Sequence, residues 1–319
     1  MSDRSLIEVQ GLTKQYDGRA AIVDVTFAVP RGQVLGFLGP NGAGKSTTMR
    51  ILTGYLSATS GTASVAGYDI FEHAREARRR IGYLPETTPL YTEMRVEDYL
   101  TLMCRLRAVP PRQRRARIDY AIEACGLRDR RRDIIGHLSR GLRQRVGLAQ
   151  AVVHDPDVLI LDEPTAGLDP GQTRETRELI AALGAQHTVV LSSHVLSEVG
   201  ATCDRVLIIR EGRIVADDTP RSLSRRLAQG RGEAVEAVIS GDPDVIRREL
   251  RGLHGVYEVT VAKLDGGDYR VVVTGDTEDL QGAVARAVVA HGGLGLRSLN
   301  TQELSLEDAF LQLTGEERT

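Results

Sequence analysis

Short runs of β-branched and other apolar residues alternate along the chain with longer stretches in which apolar positions recur every three or four residues. The runs read as strands and the longer spacing as amphipathic helices, so their alternation predicts an α/β fold. Strands are expected at 34–38, 158–162, 188–191 and 205–209, while 83–154 carries few strand signals and reads mainly as helix. After Pro220 the texture changes. An Arg-rich helical connector over 220–230 leads into a segment with a complete pattern of its own. There Tyr257, Val259 and Val261 alternate with Glu258 and Thr260, as on a half-buried strand, and Tyr269, Val271 and Val273 repeat the rhythm. Ile246, Leu250 and Leu253, then Leu280, Val284 and Val288, sit at helical spacing within 245–253 and 280–291. The order strand–helix–strand–strand–helix–strand is the split βαβ arrangement of ferredoxin-like domains. The pattern thus divides the chain into 1–220 and a smaller α+β domain, 221–319. A last helix is expected from Ser305, with Asp308 as a capping partner and an apolar face of Leu306, Phe310 and Leu313.

Composition prunes this picture rather than redrawing it. At 319 residues, 41% hydrophobic and 26% charged, the chain is neither disordered nor collagen-like, and its length suits two compact domains. Its 41 basic residues are balanced by 43 acidic ones, which gives no sign of a general nucleic-acid or anionic-membrane binder. Dense basic runs at 112–117 and 128–132 suit either anionic lipid and a membrane partner or solvated helix faces; the overall acidic balance favours the second. Cys104, Cys125 and Cys203 lack the clustering of a disulfide framework or a zinc site and read as buried thiols in a reducing compartment. The first residues lack the apolar core of a signal peptide. The longest uncharged stretch, 179–197, is broken by Gln186, His187, Ser192, Ser193 and His194 and cannot span a membrane. The expectation is a soluble, cytoplasmic chain. Lysine occurs only at 14, 45 and 263, so a chain that otherwise chooses Arg has a reason for Lys45.

The candidate chemistry starts there. Gly39-Pro40-Asn41-Gly42-Ala43-Gly44-Lys45-Ser46 fits G-x-x-x-x-G-K-[ST], between an apolar run and a helical stretch. Glycines let backbone N–H groups curl around phosphate oxygens, and the helix N-terminus adds a favourable dipole. Lys45 would reach the β- and γ-phosphates and Ser46 would hold Mg²⁺. A guanidinium is too wide and planar to replace that ammonium. A second element, Val158-Leu159-Ile160-Leu161-Asp162-Glu163, ends an apolar strand in two carboxylates. It suits Asp162 near Mg²⁺ and Glu163 polarising water. His194 closes a third strand. A lone His there is more often structural, yet it lies where a γ-phosphate sensor belongs.

With these pieces in order, residues 5 to about 220 resemble the nucleotide-binding subunit of ABC transporters. The most specific element is Leu138-Ser139-Arg140-Gly141-Leu142-Arg143-Gln144-Arg145, similar to the family signature LSGGQ-x-Q-R. Ala166-Gly167-Leu168-Asp169 resembles the D-loop, His194 the switch histidine and Tyr16 the aromatic that stacks on adenine. The resemblance implies a P-loop NTPase domain with a mixed-sheet core and a helical subdomain at about 86–155. It implies ATP and Mg²⁺ as cofactors, with Gly39 to Thr47 as the phosphate-binding stretch. Ser46, Asp162 and Glu86 would serve the metal, and Glu163, His194 and Lys45 the chemistry. Each ATP would lie between one subunit's phosphate loop and the other's Ser139, Gly141 and Asp169. The resemblance therefore implies a head-to-tail homodimer, or pairing with a paralogous subunit, and a separate membrane permease.

The signature and the Q-loop segment depart from the family pattern. The signature's first Gly is Arg140 and its Gln is Leu142, while the usual Q-loop Gln is Glu86, in Ile81-Gly82-Tyr83-Leu84-Pro85-Glu86. Activity is expected to survive both. That string, the form of the signature and Ser305-Leu306-Glu307-Asp308-Ala309-Phe310 resemble ABC-2-type exporters, above all the gliding-motility, copper-maturation and drug-resistance ATPases. The segment with Leu90, Tyr91 and Met94 would then receive a helix of the membrane partner, placing the chain on the inner face of the cell membrane. The competing reading is a soluble ABC ATPase acting on ribosomes or DNA. It would call for a second cassette, or for a long coiled coil between Lys45 and Asp162, and neither is in the sequence.

Overall fold

The computed structural model describes residues 5–223, 233–264, 267–277 and 279–302. The chain divides into two compact units, Met1–Pro220 and Arg221–Thr319.

In the first unit, β1 (Ser5–Tyr16) and β2 (Arg19–Pro30) form a long antiparallel hairpin. It is extended by β4 (Ser60–Val65) and β5 (Tyr68–Asp69) in the order β2-β1-β4-β5. A second sheet holds β3 (Val34–Leu38), β6 (Ile81–Leu84), β7 (Val158–Asp162), β8 (Thr188–Ser193), β9 (Arg205–Arg210) and β10 (Arg213–Asp218). Its order is β10-β9-β3-β8-β7-β6, parallel except for the β9–β10 hairpin. Every residue of β3, β7 and β8 is buried, which is why each reads as a short continuous apolar run, ended in β7 by Asp162 and in β8 by Ser192 and Ser193. The two sheets share one core. Phe27 on β2 meets Phe37 on β3 with ring centroids 5.7 Å apart, and truncating a buried Phe of this kind costs about 3–5 kcal/mol.

The helices are α1 (Lys45–Leu52), α2 (Ala74–Arg80), α3 (Val96–Leu106), α4 (Pro111–Ala124), α5 (Arg140–Val152), α6 (Pro170–Gly184) and α7 (Leu196–Thr202). α3, α4 and α5 occupy the long connection between β6 and β7. Local chemistry sets several starts. Ser139 caps α5 by accepting from Leu142 N, and Asp169 caps α6 by accepting from Gln172 N just before Pro170. Strand order then assembles the site. β8 lies between β3 and β7, all three parallel, so their carboxyl ends open on one edge of the sheet.

The second unit runs β11 (Glu233–Ser240), α8 (Pro243–Arg251), β12 (Val256–Lys263), β13 (Asp268–Gly275), α9 (Leu280–Ala290), β14 (Gly295–Gln302). Its sheet is antiparallel in the order β12-β13-β11-β14, the ferredoxin-like topology. Ile246, Leu250, Leu280, Val284 and Val288 pack on Val235, Ile239, Val271 and Val273. The helix expected from Ser305 and most of the 220–230 connector lie outside the described residues. All three cysteines are free and buried, and burial pushes the Cys125 and Cys203 thiols up to about 12.

Candidate functional site

The loop after β3 turns into α1 through Gly44 at φ +110°, a conformation L side chains rarely adopt. A Cβ at Gly44 would stand 2.6 Å from Ile22 Cγ2 and 2.7 Å from the Ala21 carbonyl, so the position demands glycine. Lys45 opens α1 and is buried. Its ammonium donates to the Gly39 carbonyl at 2.6 Å and the Pro40 carbonyl at 3.1 Å. It also lies 3.4 Å from Glu163 Oε1, a buried ion pair at the mouth of the loop. Ser46 Oγ donates to Asp162 Oδ1 at 3.0 Å, tying the loop to the end of β7.

The acidic pair is held from β8. Ser192 Oγ donates to Asp162 Oδ1 at 2.6 Å and accepts from Glu163 N at 2.9 Å. Glu163 takes φ +49°, left-handed for a residue with a Cβ, where the chain turns out of β7. Its Oε2 meets His194 Nδ1 at 2.9 Å. The Asp162 Oδ2 atom is buried with no hydrogen-bond partner. A buried carboxylate oxygen left this way is costly unless something electropositive completes it.

A cleft of about 400 Å³ opens here, with Ala21, Asn41, Gly42, Gly44, Lys45, Ser46, Thr47, Glu86, Glu163, Ala166 and His194 on its walls; Gly39, Pro40, Ala43, Asp162 and Ser192 are not among them. Ala21 carries no chemistry-bearing side chain and no motif marks it, whereas Ala166 opens the segment that resembles the D-loop. Ser192 was also missed, because a Ser at the end of an apolar strand reads as the strand's end. Tyr16 is not on these walls; it is half exposed, with the Lys14 ammonium 5.1 Å from its ring centroid. Ser139, Gly141 and Asp169 also lie off the cleft of their own chain, at the N-termini of α5 and α6.

Glu86 lines a second, larger depression as well. It measures about 690 Å³ and is walled by Tyr55, Tyr83, Leu90, Tyr91, Tyr99 and Met103, with Arg50, Arg107 and Gln150. Burial, with Asp162 adding to it, pushes the Tyr83 phenol up to about 12. Met94 is not on this wall, unlike Leu90 and Tyr91; its carbonyl accepts from Ile135 N at 3.0 Å. Glu86 therefore stands where the cleft and the groove meet.

The family profile described as ABC transporter matches residues 22–166, from β2 past the acidic pair. The linearmycin resistance ATP-binding protein LnrL of Bacillus subtilis (strain 168) is 31% identical over 317 residues, covering 97% of this chain and 98% of the relative. The Nod factor export ATP-binding protein I of Burkholderia orbicola (strain AU 1054) is 33% identical over 312 residues, covering 98% and 97%. A solved structure described as an ATP binding subunit of an ABC transporter is 31% identical with a TM-score of 0.64, over 70% of this chain and 94% of that one. The chain belongs to the ABC transporter ATP-binding family.

For an ABC transporter ATP-binding protein, the departure at Arg140 has a structural counterpart. Its Nη2 donates to the Ala166 carbonyl at 2.8 Å, and the guanidinium lies over Gly167, within 2.2–2.5 Å of where a Cβ would stand. Gly167 at φ +68° leaves the space that Arg140 fills. Helix α5 is thereby tied to a segment lining the cleft. Leu142, the other substituted position, gives its backbone N–H to the Ser139 cap, a contact that does not depend on its side chain.

Proposed function

We propose that this ABC ATP-binding protein hydrolyses Mg-ATP and uses the cycle to drive export through a separate membrane-spanning subunit. The observation that carries the reading is the convergence of Lys45, Ser46, Asp162, Glu163 and His194 at the carboxyl ends of three adjacent parallel strands. Relatives named for linearmycin resistance and Nod factor export, alike over nearly the whole chain, support export as the direction. Among the described residues no helix is long and apolar enough to cross a membrane, so on this reading another polypeptide forms the path. The groove beside Glu86 is the surface for that subunit, which places the chain at the inner face of the membrane.

The donor set suits Mg²⁺. Asp162 Oδ2 is a buried carboxylate oxygen without a partner, and the Ser46 hydroxyl already shares the other oxygen. Ser46 and Asp162 would hold the ion, with Glu86 at the edge of the same cleft; bound there, it would neutralise phosphate charge. Lys45 exchanges its contacts with the Gly39 and Pro40 carbonyls for phosphate oxygens and takes up charge on the transferring group. Glu163 then orients and deprotonates the attacking water. His194, bonded to Glu163 Oε2, fixes that carboxylate and faces the γ-phosphate side. Tyr16 supports the adenine from the β1–β2 hairpin. Ser139, Gly141 and Asp169, off their own cleft, serve the ATP of a second copy or a paralogous subunit. Binding closes the pair head to tail and hydrolysis reopens it.

The test is Glu163→Gln. Nucleotide binding should survive while hydrolysis falls by about 10²–10⁴. Under saturating Mg-ATP the variant should accumulate as a dimer by light scattering. Full turnover in the variant would remove Glu163 from the chemistry.

A further inference from the structure

We propose that the cleft between α2, the turn after α3 and α4 is a binding site for a phosphate-bearing anion. It holds about 360 Å³, and Arg79, Arg80, Arg107, Arg117 and His154 line it with a single carboxylate, Asp155. The four guanidiniums come from three separate elements, α2, the end of α3 and α4. They converge across tertiary structure rather than sharing one solvated helix face.

The fold neutralises only part of this charge. Asp155 pairs with Arg117 at 2.9 Å, and Asp157 pairs with Arg80 at 3.1 Å. Arg79 and Arg107 have no carboxylate partner among the described residues. Arg107 is partly buried and donates through Nη1 to the Arg78 carbonyl at 3.1 Å. Burial, and next the charge of Arg78, draw its guanidinium below the usual Arg range, so this cation is held under electrostatic stress. An anion relieves that stress, because a cation shielded from water gains most from a counter-charge.

The other basic run supplies the contrast. Arg128 pairs with Glu123, Arg130 with Asp133, and Arg131 with both Glu97 and Asp119. There the fold consumes its own charge; here it leaves two guanidiniums without a carboxylate partner on a concave wall, Arg107 with one nitrogen already committed to the Arg78 carbonyl. Planar guanidiniums present paired donors that match phosphate oxygens, which favours a phosphate ester over a monatomic anion. Arg107 also lines the groove beside Glu86, so an anion held on it would adjoin that surface. Only this last link rests on the proposed docking role of the groove.

A lipid headgroup and a soluble phosphate ester share this chemistry, and one experiment separates them. The full-length protein carrying Lys45→Ala, which silences the phosphate loop, is titrated with inorganic phosphate by calorimetry. It is also floated with vesicles of phosphatidylcholine, with and without phosphatidylglycerol. The cleft pair Arg79→Ser/Arg107→Gln is compared with Arg112→Ser/Arg115→Ser, an equal charge change outside the cleft. The cleft pair should weaken binding of at least one probe about tenfold, and the outside pair less than about twofold. Binding of phosphate assigns a soluble ester, and binding only of phosphatidylglycerol vesicles assigns a headgroup. Equal losses in both pairs, or no binding of either probe, would overturn the site. Arg79→Ser alone, at an exposed position, repeats the test if the double variant fails to fold. No ATP turnover enters the readout, so failure here is distinct from failure of the proposed ATPase.

Discussion

Ser192 is the residue on which the acidic pair turns. One hydroxyl donates to Asp162 and accepts from the Glu163 backbone, so it holds both the Asp162 carboxylate and the left-handed turn at Glu163. Ser192→Ala would leave the Glu163 N–H buried and unpaired, at a cost of about 1–3 kcal/mol. The expected result is a lower urea midpoint and a fall in kcat that exceeds any rise in KM for Mg-ATP. Unchanged kcat with reduced stability would make Ser192 a packing residue only. Lys45, Asp162 and Glu163 were legible in sequence as candidates, because the chemistry proposed for them demands a residue type at a fixed spacing. Ser192 and Ala21 were not. They act through a shared hydroxyl or a close backbone, and either can come from an ordinary strand end or loop.

At the scale of elements, the tie between Arg140 and the Ala166 carbonyl joins α5 to the loop that follows the acidic pair. Restoring the family's residue with Arg140→Gly removes this tie and places glycine, the poorest non-Pro helix former, in the first turn of α5. ATP binding to the phosphate loop should persist while hydrolysis changes by more than about threefold; an unchanged rate would reduce Arg140 to a surface contact. A second inter-element contact predicts a pH response. His154, just past α5, meets the Ile81 carbonyl of β6 at 3.1 Å, and burial, followed by the charge of Arg107, pushes its imidazole down to about 4. Between about 4 and the ordinary value near 6.5 the unfolded chain binds this proton and the folded chain does not. Stability therefore rises with pH across that window, and the contribution is lost as pH falls through it. His154→Gln should remove about 2 kcal/mol of the stability difference between pH 7.5 and pH 5 in urea denaturation. An equal pH slope in both proteins would exclude His154 as its source.

The same scale explains which elements could be read. β3, β7 and β8 are buried on both faces, so sequence and structure agree almost to the residue. The β1–β2 hairpin went unread. Its register shifts repeatedly and one face is exposed, so Ile7, Val9 and Leu12 never form an unbroken run or a clean alternation.

For the whole molecule, the decisive feature is what a single chain keeps apart. Lys45, Ser46, Glu163 and His194 share one cleft, whereas Ser139, Gly141 and Asp169 stand at helix N-termini off that cleft. A helix N-terminus with a Ser cap suits a phosphate, and in one copy the two halves do not meet. On the proposed reading a second copy supplies the missing half, and complementation tests that directly. Lys45→Ala abolishes one half-site and Ser139→Asp, which sets a carboxylate against the γ-phosphate, abolishes the other. Each variant alone should be inactive. Mixed in equal amounts, half of the dimers would be mixed, and each of these would carry one intact pairing of phosphate loop and signature. Recovery to about a quarter of wild-type ATP hydrolysis is the expected outcome. Because neither variant can repair itself in cis, recovery would require catalysis across the interface, and its absence at concentrations where mixed dimers form would count against the composite site.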